Sequence, residues 1–177
     1  ASPDRPATSG WLGRYLDRTV AQTPVDASDS ARLFPAVSLG DTVPTALISQ
    51  HVDVPAIGAL VNYGLNTGKD TASKQTAGVL YDGSRPGQSP YLAMIERTAR
   101  NAMHGGDVLK AKIASYVPAA EYPRDTFSQQ LRLAAQIVGS RVGTRIIFVS
   151  IGSFDTHAGQ RAQQDRLLGY LGNGLRA

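Results

Sequence analysis

The apolar pattern in the last third of the chain predicts a helix-rich α/β fold with few strands. Three observations carry that prediction. Residues 144–151, Thr144-Arg145-Ile146-Ile147-Phe148-Val149-Ser150-Ile151, form a β-branched and nearly continuous apolar run, the pattern of a strand covered on both faces in a parallel sheet. Before it, Asp125 opens a stretch in which Phe127, Leu131, Ala134, Ala135 and Val138 form a helical apolar stripe. Ser128, Gln129, Arg132 and Gln136 form its wet face, and Gly139 ends it. After it, Gly152-Ser153 stops the strand, and residues 160–175 return to helical spacing through Leu167, Leu168, Leu171 and Leu175. Helix, buried strand, polar loop, helix is the alternation of an α/β unit, whose ligands collect beyond the carboxyl ends of the strands.

The upstream elements are shorter. Trp11, Leu12, Tyr15 and Leu16 fall at helical spacing, which predicts a short amphipathic helix starting near Ser9, with Trp11 as a core or interface anchor. Leu33-Phe34-Pro35-Ala36-Val37-Ser38-Leu39 has strand character that Gly40-Asp41 breaks, and Pro44 opens a helical turn. Residues 51–61 alternate loosely, and Pro55 demotes them to an edge strand or an irregular segment. Residues 62–90 are crowded with Gly, Asn, Asp, Ser and Lys and read as an irregular loop region. Leu92, Ile95, Ala99 and Ala102 mark a helix that Gly105-Gly106 should end, and Asp107 should cap a second one carrying Val108, Leu109 and Ile113, closed by Pro118.

Composition narrows the function. The chain has 177 residues, with 18 Lys+Arg against 14 Asp+Glu for a net charge of +4. That small excess gives no basic face, so nucleic acid is not an expected partner. No apolar run is long enough for a membrane span. The absence of cysteine removes disulfides, thiolate metal sites and thiol nucleophiles together. The start, Ala1-Ser2-Pro3-Asp4-Arg5-Pro6, has neither an initiator Met nor a signal-peptide pattern, so residues 1–177 read as a single segment, an incomplete part of a larger domain.

Chemistry is expected just past the strand. In Ser153-Phe154-Asp155-Thr156-His157, an acid and an imidazole two residues apart can face one metal ion or divide base and orienting roles. The same residues can also serve structure, with Asp155 or Thr156 capping the next helix and His157 on its first turn. His51 with Asp53 reads as an ordinary loop pair, and His104 as a cation complementing a helix carboxyl end. Gly64-Leu65-Asn66-Thr67-Gly68-Lys69-Asp70 lacks the spacing and the hydroxyl of a phosphate loop. Gly87-Gln88-Ser89-Pro90 lacks the second glycine and the preceding strand of a nucleophile elbow.

Three stretches together resemble a family. Thr8-Ser9-Gly10-Trp11-Leu12-Gly13-Arg14-Tyr15-Leu16-Asp17, then Ala36-Val37-Ser38-Leu39-Gly40-Asp41, and finally residues 150–160 with Leu167-Leu168, are similar to bacterial proteins of the domain-of-unknown-function 1501 family, related to the alkaline phosphatase and sulfatase superfamily. The resemblance implies a partial segment of an alkaline-phosphatase-like α/β/α sandwich. It also implies a metal-dependent phosphatase- or sulfatase-like hydrolase of unknown substrate, inactive in this piece because the nucleophile and the remaining ligands fall outside it. On that resemblance Asp155 and His157 are metal ligands for a divalent ion (zinc, manganese or calcium), and Gln164 stands where many relatives have a histidine. It further implies a periplasmic or extracellular parent, and association of this piece with itself or with flanking segments. The competing expectation is a non-catalytic binding or structural piece that presents the Trp11 helix and the irregular middle as an interaction surface.

Overall fold

The computed structural model describes residues 8–20, 34–60, 63–64, 71–81 and 89–177. Its elements in chain order are helix α1 (Trp11–Thr19), strand β1 (Ala36–Leu39), a 3-10 turn (Thr45–Leu47), helices α2 (Thr71–Leu80), α3 (Pro90–Ala114) and α4 (Thr126–Gly139), strand β2 (Ile146–Val149) and helix α5 (Gln160–Arg176). The mixed α/β class expected from the sequence is present: many helices around a small parallel sheet.

The sheet pairs β1 with β2 in parallel, from Ala36 opposite Ile146 to Leu39 opposite Val149. On the other edge of β1, the Ser38 N–H donates to the Pro55 carbonyl at 2.9 Å and the Ile57 N–H to the Ser38 carbonyl at 2.8 Å. β1 therefore lies between two extended segments, and Pro55 sits where only its carbonyl is needed. Side chains alternate across this sheet. Val37, Leu39, Ile147 and Val149 meet Leu109, Ile113, Leu133 and Ile137 from α3 and α4. Ala36, Ile146 and Phe148 face the opposite way, toward Leu12 and Leu16 of α1 and toward Leu47.

That arrangement corrects the expectation for residues 144–151. The strand is four residues long and only half-buried, whereas every residue of β1 is buried. Among the described residues β2 has a paired neighbour on one edge only, while β1 is paired on both. The longest apolar run is thus packed on both faces as expected, but it is shorter and less deeply buried than predicted and is an edge strand among the described residues.

Three helices also differ from expectation. The two helices predicted around Gly105-Gly106 are one continuous helix, α3. Both glycines are buried in it: a Cβ on Gly105 would enter the Phe34 ring, and one on Gly106 would lie 3.3 Å from the Gly64 Cα. They serve close approach, so His104 is an exposed mid-helix residue rather than a charge at a helix end. Ser89, set aside as a nucleophile, accepts from the Leu92 N–H at 3.2 Å and caps α3, with Pro90 at its first position. Within residues 62–90, residues 71–80 are helical and bury none of their side chains; residues 62, 65–70 and 82–88 lie outside the described part.

The third is α4, which starts after Asp125 as expected, with Asp125 as its cap. Its Oδ1 accepts from the Ser128 N–H at 2.9 Å and its Oδ2 from the Ser128 hydroxyl at 2.6 Å. Its buried stripe is rotated from the predicted one. Leu133 and Ile137 enter the core while Val138 is 65% exposed. Ser128 is fully buried because Gly174 of α5 packs directly on it, and the supposed wet face of Gln129 and Gln136 is covered by residues 116–125.

Candidate functional site

The loop between β2 and α5, residues 150–159, leaves the carboxyl end of a parallel strand, where α/β folds place ligands. Asp155 and His157 are on it. Their carboxylate Oδ2 and imidazole Nε2 stand 3.7 Å apart, and the side chains are 89% and 93% exposed respectively. Sequence proximity therefore becomes spatial proximity, with both functional ends turned to solvent.

Neither residue caps the following helix. The N-cap of α5 is Gly159, in a left-handed conformation (φ 63°), with no side-chain cap hydrogen bond. Asp155 and Thr156 lie too early in the chain for that role, and His157 precedes the first turn. Thr156 is half-buried, and its Oγ1 is an orphaned hydroxyl without a hydrogen-bond partner. Ser153, at φ 71°, turns the chain, and its carbonyl accepts from Gln163 Nε2 of α5 at 2.9 Å, which ties the loop to the helix.

The pair has the right donor chemistry for a divalent cation but supplies only part of a shell. Two ligands placed tetrahedrally on zinc at ~2.1 Å are separated by roughly 3.4 Å, so a small rotation of either exposed side chain brings the 3.7 Å pair onto one ion. No group of three or more His, Cys, Asp or Glu side chains able to hold a metal occurs among the described residues. Glu96 on α3, buried with an unpartnered Oε2, belongs to no such group either.

The other sequence candidates have structural roles. The His51 N–H donates to Asp17 Oδ1 at 2.9 Å, so His51 is tied to α1 through its main chain. Asp17 also accepts from the Ser49 hydroxyl and from the Gln50 N–H. Partial desolvation pushes the Asp17 carboxyl upward, yet the three hydrogen bonds and the nearby His51 outweigh it and hold the group below its ordinary value. Sequence reasoning missed this acid, although it ends the first family-like stretch. Gly10 and Gly13 of that stretch lie against the backbone of residues 45–49, and the Gly10 N–H donates to the Ile48 carbonyl at 2.8 Å. Trp11 is not a core anchor: it is 66% exposed, on the face of α1 away from Leu16.

No protein-family model, curated protein or solved structure matches this chain.

Proposed function

We propose that this chain is part of a metal-dependent phosphatase- or sulfatase-like hydrolase, to which Asp155 and His157 contribute two ligands of a divalent-ion site. The observation that supports this reading is the exposed 3.7 Å carboxylate–imidazole pair beyond a parallel strand, with no capping role to account for it. Asp155 would supply anionic oxygen and His157 a neutral ring nitrogen, a donor set suited to zinc or manganese and, through the carboxylate, to calcium. When bound, such an ion polarises a phosphoryl or sulfuryl oxygen and lowers the pKa of coordinated water. The remaining ligands and the nucleophile come, on this reading, from outside the described residues. The alkaline-phosphatase-like sandwich and a periplasmic or extracellular setting belong to the same proposal and rest on the resemblance of the three stretches.

Metal content tests it. Protein purified without chelator should take up about one zinc or manganese ion per chain. Asp155→Ala and His157→Ala should each abolish that uptake, and the chain alone should hydrolyse neither an aryl phosphate nor an aryl sulfate. No uptake at any metal concentration, or uptake unchanged in both variants, would overturn the assignment. Turnover lost in Asp155→Ala would retain the metal site and overturn the division of the catalytic groups.

A second reading, that of an interaction piece, is favoured by the exposed Trp11 and Tyr15 on α1 and by the edge of β2 without a paired strand among the described residues. It expects concentration-dependent association in light scattering, reduced by Trp11→Ala. A stable monomer across the accessible concentration range would count against it.

A further inference from the structure

Residues 116–125 run back along α4 and are pinned at both ends. Gln136 Nε2 donates to the Tyr116 carbonyl at 3.4 Å and Gln129 Nε2 to the Pro123 carbonyl at 2.6 Å. Arg132 lies between these two glutamines on the same helical stripe, three residues from one and four from the other. Among the described residues no carbonyl accepts from it. Instead it lines a cavity of about 670 Å³ between the strap and the helix, within the ordinary size range of small-molecule sites. Arg124 lines it as well, and Val117, Pro118 and the Tyr122 ring give it an apolar wall.

The charges here are uncompensated. Among the described residues Arg124 and Arg132 form no ion pair or side-chain hydrogen bond, and Glu121, which borders the same cavity, pairs with neither. Two guanidiniums against one carboxylate leave an excess positive charge. Guanidinium is the side chain whose fork matches an oxyanion, and it holds this preference best where its own neighbours leave it free.

We propose that this groove is a binding site for a small oxyanion carried on a flat apolar body, an aryl phosphate, sulfate or carboxylate. Arg124 and Arg132 clasp the oxyanion, and the Tyr122 and Pro118 wall packs on the ring. The proposal is independent of the metal reading, because none of its residues belongs to the 150–159 loop.

Amide chemical-shift titrations with phenyl phosphate, phenyl sulfate, benzoate and the neutral control phenol test it, and the three anions separate the head-group classes. At least one anion should give saturable shifts centred on residues 117–132 at one site per chain, and phenol none. Arg132→Ala and Arg124→Ala should each weaken binding about tenfold or more, the loss typical of a charge-assisted hydrogen bond. Arg145→Ala, an exposed arginine elsewhere, and Asp155→Ala should leave it unchanged. Circular dichroism confirms that the exposed-arginine variants remain folded. Absence of saturable shifts with all three anions at millimolar concentration, or wild-type affinity in the Arg124→Ala/Arg132→Ala double variant, would overturn the proposal.

Discussion

Phe34 and Gly105 are in direct contact: an added Cβ at 105 would be 3.1 Å from Phe34 Cε1 and closer still to Cζ. The ring is buried and meets Tyr63 edge-on at 6.0 Å, so it has little room to retreat. This contact accounts for a glycine at position 105 inside a continuous helix, and the approach of Gly64 accounts for the one at 106.

Gly105→Ala sets two effects against each other. Alanine gains about 1 kcal/mol of helix propensity, and overpacking at this buried contact costs roughly 1–3 kcal/mol. The clash should win, with a net loss of about 1 kcal/mol or more in urea unfolding. Gly78 of α2 and Gly172 of α5 have open space around them, so alanine there should gain up to about 1 kcal/mol each. Equal effects at all three positions would contradict the contact.

Gly13→Ala should release α1. A Cβ at Gly13 would collide with the Ile48 carbonyl, a backbone atom that cannot swing aside as a side chain can. Faster amide exchange across α1, with residues 126–139 unaffected, is the expected result, because α1 and α4 pack on opposite faces of the sheet.

Asp17 makes α1 docking pH-dependent. Its folded pKa is below the ordinary value of 3.8, so its stabilisation is fully present above that value and is lost as pH falls through the folded pKa. Asp17→Asn should remove this part of acid sensitivity and lower stability at neutral pH by roughly 1–2 kcal/mol, read from paired urea titrations.

Tyr63 should ionise later than an ordinary tyrosine. Burial, aided by Asp53, raises its hydroxyl to about 12. Because the folded value exceeds the ordinary 10.0, the stability linked to it is intact below pH 10 and declines as pH rises toward 12. Ultraviolet titration of Tyr63→Phe should lose that late step alone.

Asp155→Ala and His157→Ala should each leave thermal stability within about 0.5 kcal/mol of wild type, since both side chains are exposed and neither caps α5. A loss near 1 kcal/mol or more would return them to a structural role.

Local chemistry made much of this legible from the residues in order. The helix that starts after Asp125, the Gly139 stop, the strand before Gly40-Asp41 and the turn after Pro44 each depend on near neighbours in the chain. The acid–imidazole pair was legible for the same reason, being two residues apart on one loop. Depth was not legible. Residues 144–151 read as a strand covered on both faces, and both faces do pack, but apolar periodicity reports what a segment could bury and cannot report how many strands lie beside it or how deep it sits.

Long-range packing made the remaining decisions. It gave Gly105 a packing role inside α3, because Phe34, distant in sequence, occupies the space a side chain would take. It covered the polar stripe of α4 with residues 116–125 and left Arg132 facing a cavity between two engaged glutamines. It also turned Trp11 outward, because Gly10 and Gly13 bring the opposite face of α1 against backbone. Sequence by itself determined helices α1, α4 and α5, both strands, and which loop carries a carboxylate beside an imidazole; it did not show helix α2 or the continuity of α3. Tertiary structure alone decided which faces are buried, since burial depends on partners that no local pattern specifies.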